Sequence, residues 1–125
     1  VILPQIIDGK WVVADRYADS TLAYQGGGRS LSVKALNSIN EFGTYTLKPD
    51  LTFFIDISVK VANSRMRVEK DRIEKEGNEF QKRVRNQYLN LSENEPDRII
   101  VINGEKSIDE VRVDIWNHIK QKFNL

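Results

Sequence analysis

Leu51-Thr52-Phe53-Phe54-Ile55-Asp56-Ile57 is the stretch on which the architecture turns. Its apolar character is continuous rather than alternating, which predicts a strand covered on both faces, as in a parallel sheet. Ile99-Ile100-Val101-Ile102 repeats the pattern and is stopped by Asn103-Gly104; Trp11-Val12-Val13-Ala14 is a shorter run ending at Asp15. Helical patterns separate the three. Residues 20–25 read as helix, broken by Gly26-Gly27-Gly28. Ser32 caps a helix with Val33, Leu36 and Ile39 on its apolar side and Gly43 at its end. Residues 59 to about 72 read as a helix with Ala62 and Met66 inward, broken by Gly77-Asn78. Phe80, Val84, Tyr88 and Leu91 then mark an amphipathic helix that Pro96-Asp97 closes. Ser107-Ile108-Asp109-Glu110 is a capping box opening a last helix with the stripe Ile108, Val111, Ile115, Ile119 and Phe123. Strands alternating with helices predict an α/β layered fold around a parallel sheet. Ligands in open sheets of this kind sit beyond the carboxyl ends of the strands, so Asp15, Asp56 and Asn103 are expected along one edge.

The 125 residues suffice for one domain with one core. Lys plus Arg number 19 against 18 Asp plus Glu, so no global charge points to nucleic acid or an anionic membrane. With no cysteine and a single histidine, disulfides and thiolate or histidine-cluster metal sites are excluded; His118 is expected as a surface or subunit-contact residue. No apolar run approaches the ~20 residues of a membrane span, and no secretory pattern opens the sequence, so an intracellular, cytoplasmic protein is the expectation. The sequence begins at Val1, and residues 1–7 read as the end of a helix before a turn at Asp8-Gly9, which suggests that the natural N-terminus lies upstream.

The richest chemistry lies in residues 15–25. Arg16 offers a planar fork of donors that matches a phosphate bidentately. Asp15 beside it suits either aiming that fork or holding a magnesium-bound water. The pair also admits a plainer reading, with Asp15 as a helix cap and Arg16 in an ordinary ion pair. Thr21 and Gln25 are i, i+4 partners, so a hydroxyl and an amide share a face able to read the edge of a flat heterocycle. Tyr17 and Tyr24 can pack on a sugar or a ring. A polar surface turn with two half-buried tyrosines fits the same residues.

The run Asp15-Arg16-Tyr17…Ser20…Ala23-Tyr24-Gln25-Gly26 resembles the signature of thymidylate kinases. Leu47-Lys48-Pro49-Asp50-Leu51 with the strand to Asp56, and Asp71-Arg72-Ile73-Glu74…Phe80…Arg83-Val84-Arg85…Tyr88-Leu89, are also similar to that family. The resemblance covers almost the whole chain and implies a P-loop nucleoside monophosphate kinase-like α/β/α domain, phosphoryl transfer from ATP to dTMP to give dTDP, and homodimers, for which the helix after Ser32 is a candidate surface. It implies that Arg16 grips the acceptor phosphate, that Asp15 lies near Mg2+, that Thr21 and Gln25 contact the thymine, and that Ser20 and Tyr24 line base and sugar. It further implies a mobile lid over about residues 63–77, with Arg72 as its catalytic arginine, Arg65 along the adenine, and Asn103 and Gly104 bordering the adenine on its other side.

Taken alone, the crowding of Arg65, Arg67, Lys70 and Arg72 among acidic residues describes a solvated helix face equally well. Arg83 and Arg85 read as packing or ion-pair residues. No Gly-x-x-x-x-Gly-Lys-Ser/Thr occurs, and Gly26-Gly27-Gly28-Arg29-Ser30 has neither its spacing nor its lysine. In the family that phosphate loop, with the first two strands of the sheet, lies before the position of Val1. The expectation is therefore an incomplete domain that does not fold by itself, the C-terminal part of a longer polypeptide. Two other readings stand beside the kinase: a thymidine nucleotide-binding fragment or degenerate relative without catalysis, and an α/β module used only for association.

Overall fold

A computed structural model describes residues 1–44, 46–66 and 75–125. Its sheet has two parallel strands, β1 (Thr52–Asp56) and β2 (Ile99–Asn103), aligned from Thr52↔Ile99 to Asp56↔Asn103. Helices α1 (Ile2–Ile7) and α2 (Ala18–Thr21), a π-helix (Leu22–Gly28), and α3 (Val33–Gly43) precede β1. Helices α4 (Val59–Arg65) and α5 (Lys75–Asn94) lie between the strands, and α6 (Ile108–Phe123) follows β2.

Successive strand side chains point to opposite faces, and β1 uses both. Phe54 stacks on Tyr88 of α5, with ring centroids 4.5 Å apart and planes at 10°. Phe53 faces His118 of α6, centroids 6.3 Å apart. Helix α5 thus covers one face and α6 the other, the α/β/α layering expected. His118 is half-buried against the sheet rather than a surface residue, because the α6 stripe brings its ring over Phe53.

The core gathers Leu22, Leu36, Leu91 and Ile99 with Val33 against them, so the π-helix, α3, α5 and β2 all contribute. Gly26-Gly27-Gly28 does not break the helix after Thr21. The backbone widens into the π-helix through Gly28, because a run without side chains lies directly on α5. A Cβ on Gly27 would meet the Gln87 side chain and the Arg83 carbonyl; one on Gly28 would meet the Phe80 ring at 2.5 Å. Gly77 and Asn78 likewise lie inside α5 rather than before it, with open space around Gly77.

Caps form where local chemistry dictates. The Ser32 and Ser58 side chains accept from the N–H groups of Ala35 and Val61, and Ser107 and Glu110 complete the capping box of α6. Other expectations fail. Residues 11–14 form no strand: Val13 is 95% exposed, and Trp11, 64% exposed, makes an edge-on ring contact with Phe123 at 4.8 Å. A strand exists only through ladder bonds to a neighbour, and among the described residues these four have none. Asp15 therefore does not sit at a strand end, although Asp56 and Asn103 do, as register partners. Coverage of β1 is also incomplete, with Ile55 49% exposed, and Met66 points outward, 52% exposed, beyond the end of α4.

Candidate functional site

Arg16 sits in the turn before α2 with φ 64°, the left-handed region that a residue with a Cβ enters only when its surroundings hold it there. Its guanidinium carbon lies 5.1 Å from the centroid of the Tyr24 ring, a cation–π contact. Among the described residues no carboxylate pairs with the Arg16 side chain and no cation pairs with Asp15. Tyr24 in turn approaches Phe80 of α5, centroids 6.1 Å apart.

The four residues after Arg16 are each tied to a different part of the fold. The Tyr17 hydroxyl donates to the Leu47 carbonyl at 3.3 Å. Asn40 of α3 donates to the Ala18 carbonyl at 3.0 Å. The Asp19 carboxylate takes two bonds of 2.8 Å from Arg98 and one of 2.8 Å from the Thr52 hydroxyl. Ser20 Oγ is 2.7 Å from the Tyr88 hydroxyl. Burial pushes the Asp19 carboxyl up, but the bonds from Arg98 and Thr52 and the Arg98 charge more than offset it, leaving its pKa below the ordinary value. Burial raises the Tyr88 phenol against the smaller opposing effect of Ser20, so it stays a neutral donor and acceptor at physiological pH. Thr21 and Gln25 are half-buried and carry no side-chain hydrogen bond among the described residues. Gln25 lies in the π-helix, so the α-helical i, i+4 relation assumed for the two is replaced by a wider winding; such π segments are frequent at functional sites.

At the carboxyl end of β1, Asp56 is fully engaged: Arg85 grips it bidentately at 2.6 and 2.9 Å, and that hydrogen bonding raises the guanidinium pKa further. Arg83 donates twice to the Gly28 carbonyl, at 3.1 and 3.2 Å. Both arginines are thus the packing and ion-pair residues expected.

A second cluster joins α4 to the loop after β2. The Arg65 guanidinium donates to the carbonyls of Gly104, at 2.7 Å, and Glu105, at 3.2 Å. Asn103 Oδ1 accepts from the Glu105 N–H, and Glu105 accepts from the Ser58 N–H. The structure therefore brings Arg65, Asn103 and Gly104 together. Gly104 must lack a side chain, since a Cβ there would lie 2.6 Å from Ile55 and 2.7 Å from Ile57. Asn63 and Asn78, flanking the expected lid, are bonded at 2.9 Å; Arg72 lies outside the described residues. Sequence reasoning missed Asp19, Arg98, Phe54 and the hydroxyl role of Tyr88, which carry no spacing signal because their partners are remote in the chain.

A parallel sheet between α5 and α6, with an arginine beside a tyrosine at one side, unpaired among the described residues, and an arginine–glycine loop cluster at another, defines the class: an α/β protein with the nucleoside monophosphate kinase-like fold. The thymidylate kinase family model matches residues 1–115, and the chain belongs to that family. Among its relatives, the thymidylate kinase of Thermosipho africanus is 45% identical over 122 residues, 97% of this chain and 60% of that protein. That of Kosmotoga olearia is 46% identical over 117 residues, 92% of this chain and 56% of that protein. The crystal structure of thymidylate kinase from Ehrlichia chaffeensis superposes with a TM-score of 0.75 at 27% identity, covering 96% of this chain and 55% of that one. The chain thus spans 60% or less of the length of each.

Proposed function

We propose that this chain forms the acceptor side of an enzyme that transfers the γ-phosphoryl group of ATP to dTMP, giving dTDP. The observation that carries the reading is Arg16: a left-handed arginine beside Tyr24, with no carboxylate partner among the described residues, in a chain of the thymidylate kinase family. Holding a guanidinium without a carboxylate partner leaves its fork of donors available to a phosphate. In this reading Arg16 grips the dTMP phosphate, Tyr17 and Tyr24 flank the sugar, and Ser20, Thr21 and Gln25 line the base. Arg65, Asn103 and Gly104 border the adenine of ATP. Arg72 is assigned to the lid, over about residues 63–77, as the arginine that stabilises charge on the transferring phosphoryl group.

Among the described residues no group of three or more acidic or histidine side chains is disposed to hold a metal. Mg2+ needs no such cage, taking one or two carboxylates alongside substrate phosphates and waters. Asp15, exposed and unpaired among the described residues, fits that role, whereas Asp56 is committed to Arg85. When bound, Mg2+ would neutralise charge on the ATP phosphates.

The exposure of Trp11, Val13 and Ile55 favours a sheet completed by further strands, and with it the expectation that this chain is part of a longer polypeptide carrying the phosphate loop. Homodimerisation and a cytoplasmic location belong to the same reading. The second reading, nucleotide binding without turnover, is favoured by the absence of Gly-x-x-x-x-Gly-Lys-Ser/Thr from these residues.

A coupled assay of the full-length polypeptide with dTMP, ATP and Mg2+ tests the proposal. Turnover is expected, with loss on chelation of Mg2+, and Arg16→Ala should lower kcat/KM by about a hundredfold or more. Turnover unaffected by Arg16→Ala removes the assignment. Binding of dTMP with no turnover moves the protein to the second reading.

A further inference from the structure

Helix α2 is a single α-helical turn of four residues that runs on into the π-helix, so no preceding helix fixes its amino end. Its position comes from the anchors on residues 17–20, and one differs in kind from the rest. Asp19 is 6% exposed and is the only one of the four whose side chain is charged. Arg98, with its side chain 15% exposed, meets it through two parallel bonds of 2.8 Å and is itself held by Glu95 at 2.7 Å. Thr52, the first residue of β1, bonds the same carboxylate and passes its backbone N–H to the Arg98 carbonyl at 2.8 Å. The pair therefore lies at the amino ends of both strands, opposite Asp56 and Asn103, and is spent on no exposed surface. A bidentate arginine–carboxylate contact fixes orientation as well as distance. Here it aligns the turn of helix that begins two residues after Arg16, whose own backbone is held in the left-handed region.

We propose that Asp19 and Arg98 are positioning residues for acceptor-phosphate recognition: the buried pair bolts α2 to the sheet in the one orientation that presents Arg16, over Tyr24, to the phosphate. The inference rests on Arg16 as the phosphate-gripping residue. It adds that phosphate affinity is set from the far end of the strands, by a pair that touches no ligand.

The test uses the full-length polypeptide and the double variant Asp19→Leu/Arg98→Met, which removes both charges together and so leaves no unpaired buried ion. Binding of dTMP and of thymidine, which lacks the phosphate, is measured for each protein. The double variant should lose about tenfold in dTMP affinity while thymidine affinity changes by less than about twofold. Arg98→Lys, which keeps the charge but not the fork, should fall between. Unchanged dTMP affinity, or equal loss for both ligands, overturns the proposal. A ligand-free measurement separates this from failure of the functional reading. The Arg16 side-chain resonances should be shifted by the Tyr24 ring in the wild type and lose that shift in the double variant, while resonances of the Phe54–Tyr88 stack stay in place. Retention of the Arg16 shift overturns the positioning role even if the wild type binds neither ligand, in which case the functional reading falls as well. If the double variant does not fold, the same two measurements on Arg98→Lys decide.

Discussion

Asp19 is the residue on which the described network converges, and its chemistry makes its loss costly. Asp19→Asn would leave Glu95 as the only carboxylate on Arg98 and remove one of the two acceptor oxygens, at a site where both original partners are largely withdrawn from water. Removing one partner of a buried pair costs about 3–5 kcal/mol; because Glu95 remains, the lower end is expected, read as a lower urea midpoint at unchanged m-value. The pair also predicts an acid limb. The folded Asp19 carboxyl titrates below its ordinary value, so its contribution is fully present above the unfolded pKa of about 4 and is lost as pH falls through the lower folded value. Unfolding followed from pH 6 to pH 2 should show stability falling below about pH 4, more steeply in the wild type than in Asp19→Asn. Equal slopes would separate Asp19 from the acid transition. Nothing in the neighbourhood of residue 19 announces this role, since its partner Arg98 lies 79 residues away.

At the scale of elements, the glycine run is where local signals and packing part company. Three glycines are a strong helix-breaking signal, yet the backbone continues as a π-helix because α5 fills the space that side chains would need. Gly27→Ala and Gly28→Ala should each destabilise by about 1–3 kcal/mol through overpacking against Gln87, Arg83, Phe80 and Val84. Gly43→Ala, with no atom within 4 Å of the added Cβ, should change stability by less than about 1 kcal/mol, in the stabilising direction. Urea midpoints of the three variants check the contrast; equal effects would mean that the π-helix is not packed as described. Other elements were readable directly. The α6 capping box lies within four consecutive residues, and the α5 stripe repeats at helical spacing, so both form as expected. Residues 11–14 read equally well as a strand and form none, because a strand depends on a neighbour that periodicity cannot supply.

For the whole molecule, the distribution of apolar surface is the deciding feature. Trp11, Val13, Ile55 and Trp116 are all more than 48% exposed, and the two-stranded sheet is small for an α/β layer protein. Large apolar side chains left outside the core are available to be covered by a further surface. Prepared alone, the 125 residues are expected to self-associate and to bind ANS, whereas the longer polypeptide proposed above should do neither beyond the proposed dimer. Sedimentation together with ANS fluorescence tests this; a monomeric, ANS-silent 125-residue chain would show that these surfaces need no cover.

The expected stripes of α3 and α6 hold only in part, since Ile39 is 64% and Ile108 88% exposed. From the sequence alone follow the α/β class, two strands, the α5 stripe, the serine caps of α3, α4 and α6, and the resemblance carried by residues 15–26. Each depends on neighbours within a few positions, where spacing and side-chain chemistry suffice. Tertiary structure alone decided that Arg16 enters the left-handed region over Tyr24, that Ser20 meets Tyr88 across 68 residues, that Arg65 reaches the Gly104 carbonyl, and that Asp19 is bolted to Arg98. The last three contacts join segments remote in the chain, and they form only where packing brings the partners to hydrogen-bonding distance, with water largely withdrawn around Asp19 and Arg98.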